Sequence, residues 1–260
     1  MTLLYIIAAT LAGGLLSVTI AAAVNVVALA RLVRSLVSLS TGILLGTALL
    51  QVLPEAFESG TEPHALFATL LAGLLAFFLL EKAELYRHGH HHEGDDPHHH
   101  HHHGFDAEQA GRGGWSVLVG DSIHNFCDGV IIAAAFLVDT HLGVATAAAV
   151  VAHEIPQEVG DYIVLLNAGL SRARALAYNA LSGLASVAGG VLGYFVVGPW
   201  KAAFPFLLVV AASSFIYVAV ADLMPQLQRR LSWRDTASQL AWMATGLGLV
   251  VAVTQMGHAH

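Results

Sequence analysis

Residues 114–138 read GWSVLVGDSIHNFCDGVIIAAAFLV, and this stretch decides how the rest of the chain is understood. It is long and apolar enough for a helix that crosses about 30 Å of hydrocarbon, which takes roughly twenty residues. Four strongly polar side chains nevertheless interrupt it: Asp121, His124, Asn125 and Asp128. Steps of three and four residues place them on one helix face. The stretch therefore predicts a membrane span with a polar stripe directed into the protein.

Seven similar apolar runs flank it, giving expected spans at 2–24, 36–57, 64–86, 114–138, 142–168, 174–198, 203–227 and 236–256. The composition agrees: 56% of residues are hydrophobic and 11% charged, with a mean hydropathy of +0.68, against roughly 25% charged in soluble domains. The expected fold is all-α, a single polytopic bundle of eight transmembrane helices over residues 1–260. The first run has no basic segment before it and is read as a retained helix rather than a cleaved signal. A net charge of −7 with no basic patch gives no sign of a nucleic-acid partner. Cys127 is the single cysteine, so no internal disulfide is expected.

Basic residues set the expected orientation. Arg31, Arg34, Lys82, Arg87, Arg112, Arg172, Arg174, Arg229, Arg230 and Arg234 fall on one side and Lys201 alone on the other, and cytoplasmic loops retain Lys and Arg. Both termini are then extracytoplasmic. The segment 87–113 becomes a cytoplasmic loop holding ten of the 16 histidines, including the run His98 to His103. Short His-rich tracts suit metals such as zinc, because neutral imidazole is a good borderline ligand; a cloning tag or a neutral low-complexity linker is the alternative.

The fifth span carries a second stripe, His153-Glu154-Ile155-Pro156-Gln157-Glu158-Val159-Gly160-Asp161. Acids at the bilayer centre cost about 2.5 to 3.5 kcal/mol each, so Asp128, Glu154 and Glu158 together imply a penalty on the order of 8 to 10 kcal/mol. No Lys or Arg lies in the interior of any expected span to offset it; Lys82 and Arg174 fall toward span ends. A divalent cation would, and protonation or a water-filled cavity are the other routes; hydrogen bonds between helices are the bland alternative. Pro156 frees the carbonyl of Ala152 beside this stripe, which could face an ion or water.

The pair His124-Asn125-Phe126-Cys127-Asp128-Gly129 and His153 to Asp161 resembles the two signatures of the ZIP (Zrt/Irt-like) metal transporters, and Leu53-Pro54-Glu55 on the second span fits as well. The resemblance is to a bacterial branch close to the LIV-1 subfamily. It implies a metal held between helices four and five by His124, Asp128, His153 and Glu158, with Asn125 and Glu154 completing or widening the site. Gln157 and Gln51 belong to the same candidate set, standing where many relatives have His, which should weaken affinity or broaden metal choice.

Relatives with a second metal use an acid on helix six, and none occurs between 172 and 198, where Asn179 and Ser182 are weak substitutes. The family's inverted repeat has an echo in Val52-Leu53-Pro54-Glu55 and Leu223-Met224-Pro225-Gln226. Glu55 and Asp222 are candidate linings for the outer and cytoplasmic ends of the path.

The implied function is transport of zinc, or of iron, manganese or cadmium, into the cytoplasm by a multi-pass protein of the cell (inner) membrane. The ion is substrate and no cofactor is expected. The other partners are the lipid bilayer and a homodimer mate. A metallohydrolase is the rival from another class, but a His-Glu-x-x-His motif needs His where Gln157 stands. A membrane metal sensor without transport is a further rival.

Overall fold

The computed structural model describes residues 1–23, 26–89, 107–167, 170–229 and 232–258. Among these the chain is all helical. We name eight helices: α1 (Thr2–Ala23), α2 (Val26–Thr47, continued by Ala48–Val52 and Leu53–Glu58), α3 (Pro63–Gly89), α4 (Ala107–Val138), α5 (Thr140–Asn167), α6 (Arg172–Val197), α7 (Phe204–Tyr217, continued by Val218–Leu223 and Met224–Gln228) and α8 (Trp233–His258). They coincide in order and number with the eight expected spans.

Seven are long and apolar enough to cross a membrane. The exception is α5, whose apolar course is broken by Glu154, Glu158 and Asp161. The expected loop at 87–113 is partly helical, because α3 runs to Gly89 and α4 begins at Ala107. The His-rich run itself lies outside the described residues.

Short polar signals start the helices. Glu62 accepts the backbone N–H groups of His64 at 3.0 Å and Ala65 at 2.8 Å, just ahead of Pro63. Pro63 suits a first turn, where its missing N–H is no loss. The chain reaches that point through Gly60, whose φ of 77° is readily adopted only by glycine. Asp139 caps α5 by accepting from His141 at 2.8 Å and Leu142 at 3.1 Å, so α4 and α5 are joined by a single turn. Ser171 caps α6, and Ser232 caps α8 in a reciprocal pair with Asp235.

Two helices change pitch at matching places. Both α2 and α7 widen into a π turn, at Ala48–Val52 and Val218–Leu223, shortly before Pro54 and Pro225. A proline clashes with the carbonyl four residues back, here Leu50 and Ala221, and an extra residue in the turn relieves that clash. The repeat echo in the sequence thus has a counterpart in backbone geometry.

Packing divides the bundle. Helices α1, α4, α5 and α6 pack on one another, while α2 packs on α8 and α3 on α7; α2 and α5 form the broadest seam between the groups. Small residues let backbones touch. A Cβ on Gly129 of α4 would stand 1.9 Å from the Ser186 carbonyl oxygen of α6, and one on Gly42 of α2 would stand 2.2 Å from that of Met243 on α8.

The buried core, including Leu44, Val52, Ile132, Phe136, Val209 and Phe215, lies between the groups. Phe67, Leu71, Leu75 and Leu79 form an exposed apolar stripe along α3. Their spacing of four keeps them on one face, as a lipid-facing helix requires.

Candidate metal centre

The polar stripes of α4 and α5 face each other inside the bundle. Asp128, His153 and Glu154 are buried, and His124 is half-buried at its edge. Their ligand atoms all lie within 4.8 Å of one another. His153 Nε2 is 3.0 Å from Asp128 Oδ2, 3.1 Å from His124 Nε2 and 3.6 Å from Glu154 Oε1. His124 Nε2 is 3.7 Å from the same Asp128 oxygen and 3.5 Å from the same Glu154 oxygen.

Four ligands held about 2.1 Å from a tetrahedral Zn²⁺ stand roughly 3.4 Å apart, so this tetrad has the spacing of a zinc shell. Local chemistry supports that use. His153 Nδ1 lies 3.2 Å from the Ala149 carbonyl, its partner one turn back. That contact places the proton on Nδ1 and leaves the Nε2 lone pair facing the tetrad. Both oxygens of Asp128 and Oε1 of Glu154 are buried without a hydrogen-bond donor. Lone pairs converging from His153 Nε2, Asp128 and Glu154 suit a cation.

A second group adjoins the first through the shared Glu154. It consists of Asp121, Glu154 and Glu158, again within 4.8 Å of one another. The resemblance placed Glu158 with the two histidines; the structure puts it beside Asp121 and Glu154. The reason is helical pitch, since Glu158 lies one full turn beyond Glu154 and His153 precedes both. Both Glu158 oxygens are buried and unpartnered.

The amides are engaged elsewhere in this network. Asn125 Nδ2 donates at 3.2 Å to the Asp121 backbone carbonyl, to Asp121 Oδ1 and to Ser182 Oγ. Gln157 Nε2 donates to Asp121 Oδ1, also at 3.2 Å. Gln51 donates to Thr254 of α8 at 2.5 Å, and its Oε1 is buried without a partner.

Asp121 was absent from the candidate set, although its place three residues before His124 on the same face was the signal that could have included it. Ser182 of α6 donates to Asp121 Oδ2, and Asn179 donates to the Glu158 backbone carbonyl at 2.7 Å. The α6 side chains thus support the acids of α4 and α5 by hydrogen bonds. Ser40 of α2 donates to the Ala152 carbonyl that Pro156 frees. Cys127 is half-buried outside both groups. Asp222 is exposed and accepts from Gln226 at 3.1 Å, while Glu55 is half-buried near the end of α2.

Membrane-length apolar helices enclosing imidazoles and carboxylates at ligand spacing define a multi-pass membrane protein with a candidate metal centre. The particular family follows: the model of the ZIP zinc transporter family matches residues 81–254, more than half of the chain, and the chain belongs to that family.

Among similar proteins, zinc transporter ZIP10 of Danio rerio is 37% identical over 146 residues, covering 54% of this chain and 17% of that protein. Zinc transporter foi of Drosophila melanogaster is 36% identical over 140 residues, covering 54% and 20%. Zinc transporter ZIP4 of Mus musculus is 38% identical over 134 residues, covering 52% and 20%. The chain therefore spans a fifth or less of the length of these relatives. Relatives of the LIV-1 subfamily, ZIP6 and ZIP10, are among the matches; they are animal proteins and give no support to a bacterial branch.

Proposed function

We propose that this chain carries Zn²⁺, and chemically similar divalent ions such as Fe²⁺, Mn²⁺ or Cd²⁺, across a membrane through the site between α4 and α5. The observation that carries this reading is the tetrad of His124, Asp128, His153 and Glu154, with N···N and N···O separations of 3.0 to 3.7 Å. Two neutral imidazoles and two carboxylates sum to the charge that a divalent ion cancels. The loaded centre is then electrically neutral, which removes most of the cost of buried charge. The names of the similar proteins, all zinc transporters, support the same reading.

The ion moves toward the cytoplasm, on the side where ten of the eleven basic residues gather by the charge rule. The site is presented alternately to each face as α1, α4, α5 and α6 shift against the other helices. Glu158, with both carboxylate oxygens unpartnered, offers a neighbouring stop one turn along. Binding needs deprotonated ligands and expels protons, so acid on the loading side opposes uptake and acid on the release side favours it. The membrane is the cell (inner) membrane, and the His-rich segment receives or senses the released ion.

A hydrolase reading lacks its third ligand, since Gln157 has its amide turned to Asp121. The test is Zn²⁺ uptake by proteoliposomes. Wild-type protein takes up the ion and His153→Ala does not; binding without flux in the wild type, or full flux in the variant, contradicts the proposal.

A further inference from the structure

We infer that Asp121 is a positioning residue that sets metal preference by orienting the two amides beside the candidate site. This rests on the metal-carrying reading above and goes beyond the tetrad. An amide has a donating NH2 end and an accepting carbonyl end. The NH2 ends of Asn125 and Gln157 both point at Asp121, each 3.2 Å from its Oδ1. With those ends committed, only Asn125 Oδ1 and Gln157 Oε1 remain for a cation, so both residues act toward metal as oxygen donors.

Asp121 differs from the acids around it in this respect. Its Oδ1 accepts two amides and its Oδ2 accepts Ser182, so donors from α4, α5 and α6 converge on one carboxylate. Both oxygens of Glu158 and Oε1 of Glu154 are instead buried with no donor. Glu154 and Glu158 are thereby free to ligate while Asp121 holds. Residue 121 is itself buried, at 6% exposure, and so is Ser182, at 0%. Water does not readily replace either partner.

The consequence is selectivity. The tetrad of two imidazoles and two carboxylates satisfies four-coordinate Zn²⁺ by itself. Mn²⁺ prefers more ligands and harder ones, and carbonyl oxygen is such a ligand. Fixed amide oxygens therefore favour Mn²⁺ more than Zn²⁺. Replacing Asp121 by Asn puts a donor where an acceptor stood and frees the neighbouring amides to turn their NH2 ends inward.

The test uses the full chain in proteoliposomes, with KM measured for Mn²⁺ and Zn²⁺ and Mn²⁺ binding read independently by electron paramagnetic resonance. In Asp121→Asn the KM for Mn²⁺ rises about 10-fold or more, the range seen when a group that orients a metal ligand is lost, and the KM for Zn²⁺ rises much less. Ser182→Ala, which frees one Asp121 oxygen, moves the Mn²⁺ to Zn²⁺ ratio in the same direction by a smaller factor. It decides the matter if Asp121→Asn does not fold. An unchanged ratio in folded variants overturns the inference, as does equal loss of both ions, which would make Asp121 a ligand. If the wild type binds Mn²⁺ but moves no ion, the transport reading fails while the binding ratio still judges Asp121.

Discussion

His153 offers Nε2 to the centre because Nδ1 is engaged one turn back by the Ala149 carbonyl. The neighbouring acids are prepared in the opposite sense, buried with lone pairs and no donors. Cation binding is what such an arrangement favours, and removal of one imidazole should be felt as lost affinity. Outside the membrane, Glu62 shows the same logic at smaller scale. The backbone N–H of His64, then its side chain and the N–H of Ala65, hold the Glu62 carboxyl below the ordinary value of 4.5.

A carboxylate whose folded pKa is depressed contributes stability above its unfolded pKa, and that contribution is lost as pH falls through the folded value. The first turn of α3 should therefore fray as the pH falls below the ordinary Glu value of 4.5 and through the lowered one. Amide exchange at His64 and Ala65 is the check: protection falls at acid pH in the wild type and is already low at neutral pH in Glu62→Gln. Equal protection in both proteins at neutral pH contradicts the capping role.

At the scale of elements, α4 and α6 meet backbone to backbone because Gly129 and Gly189 lack side chains; a Cβ on Gly189 would lie 2.0 Å from the Phe126 carbonyl oxygen. Carbonyls cannot rotate away as side chains do. Gly129→Ala should destabilise the bundle by about 1 to 3 kcal/mol through overpacking. Gly248→Ala, with nothing within 4 Å of the added carbon, should not. Thermal unfolding of the two variants side by side distinguishes them, and equal midpoints would contradict the close seam.

The spans of these elements were legible because runs of apolar residues report membrane thickness directly. The π turns of α2 and α7 were not. Pro54 and Pro225 announce a local disturbance, but whether a helix answers by kinking or by widening depends on the packing around it. Pro156 is the contrast. The freed carbonyl of Ala152 was readable from its spacing, and its partner Ser40, 112 residues away in sequence, was not.

For the whole molecule, the two polar stripes were readable as stripes, and the resemblance supplied their meeting. Spacing along each helix identified the faces but not how far one helix slides past the other. That offset decides that Glu154 completes the tetrad while Glu158 joins Asp121. It also decides that the Asn125 and Gln157 amides turn to Asp121. Charge compensation at the centre depends on this assembled core and not on the polar segment between α3 and α4. Deleting residues 88–103 should therefore leave Zn²⁺ uptake in place while altering its regulation or apparent affinity. Complete loss of uptake in a folded, membrane-inserted variant contradicts that division of labour.

The most direct measurement is X-ray absorption of Zn²⁺ bound to the protein lacking residues 88–103, so that the His-rich segment adds no signal. A tetrahedral centre at the tetrad gives four light ligands at about 2.0 to 2.1 Å with an imidazole contribution from two histidines, reduced to one in His153→Ala. A six-coordinate shell of oxygen alone, or a spectrum unchanged by the substitution, contradicts it.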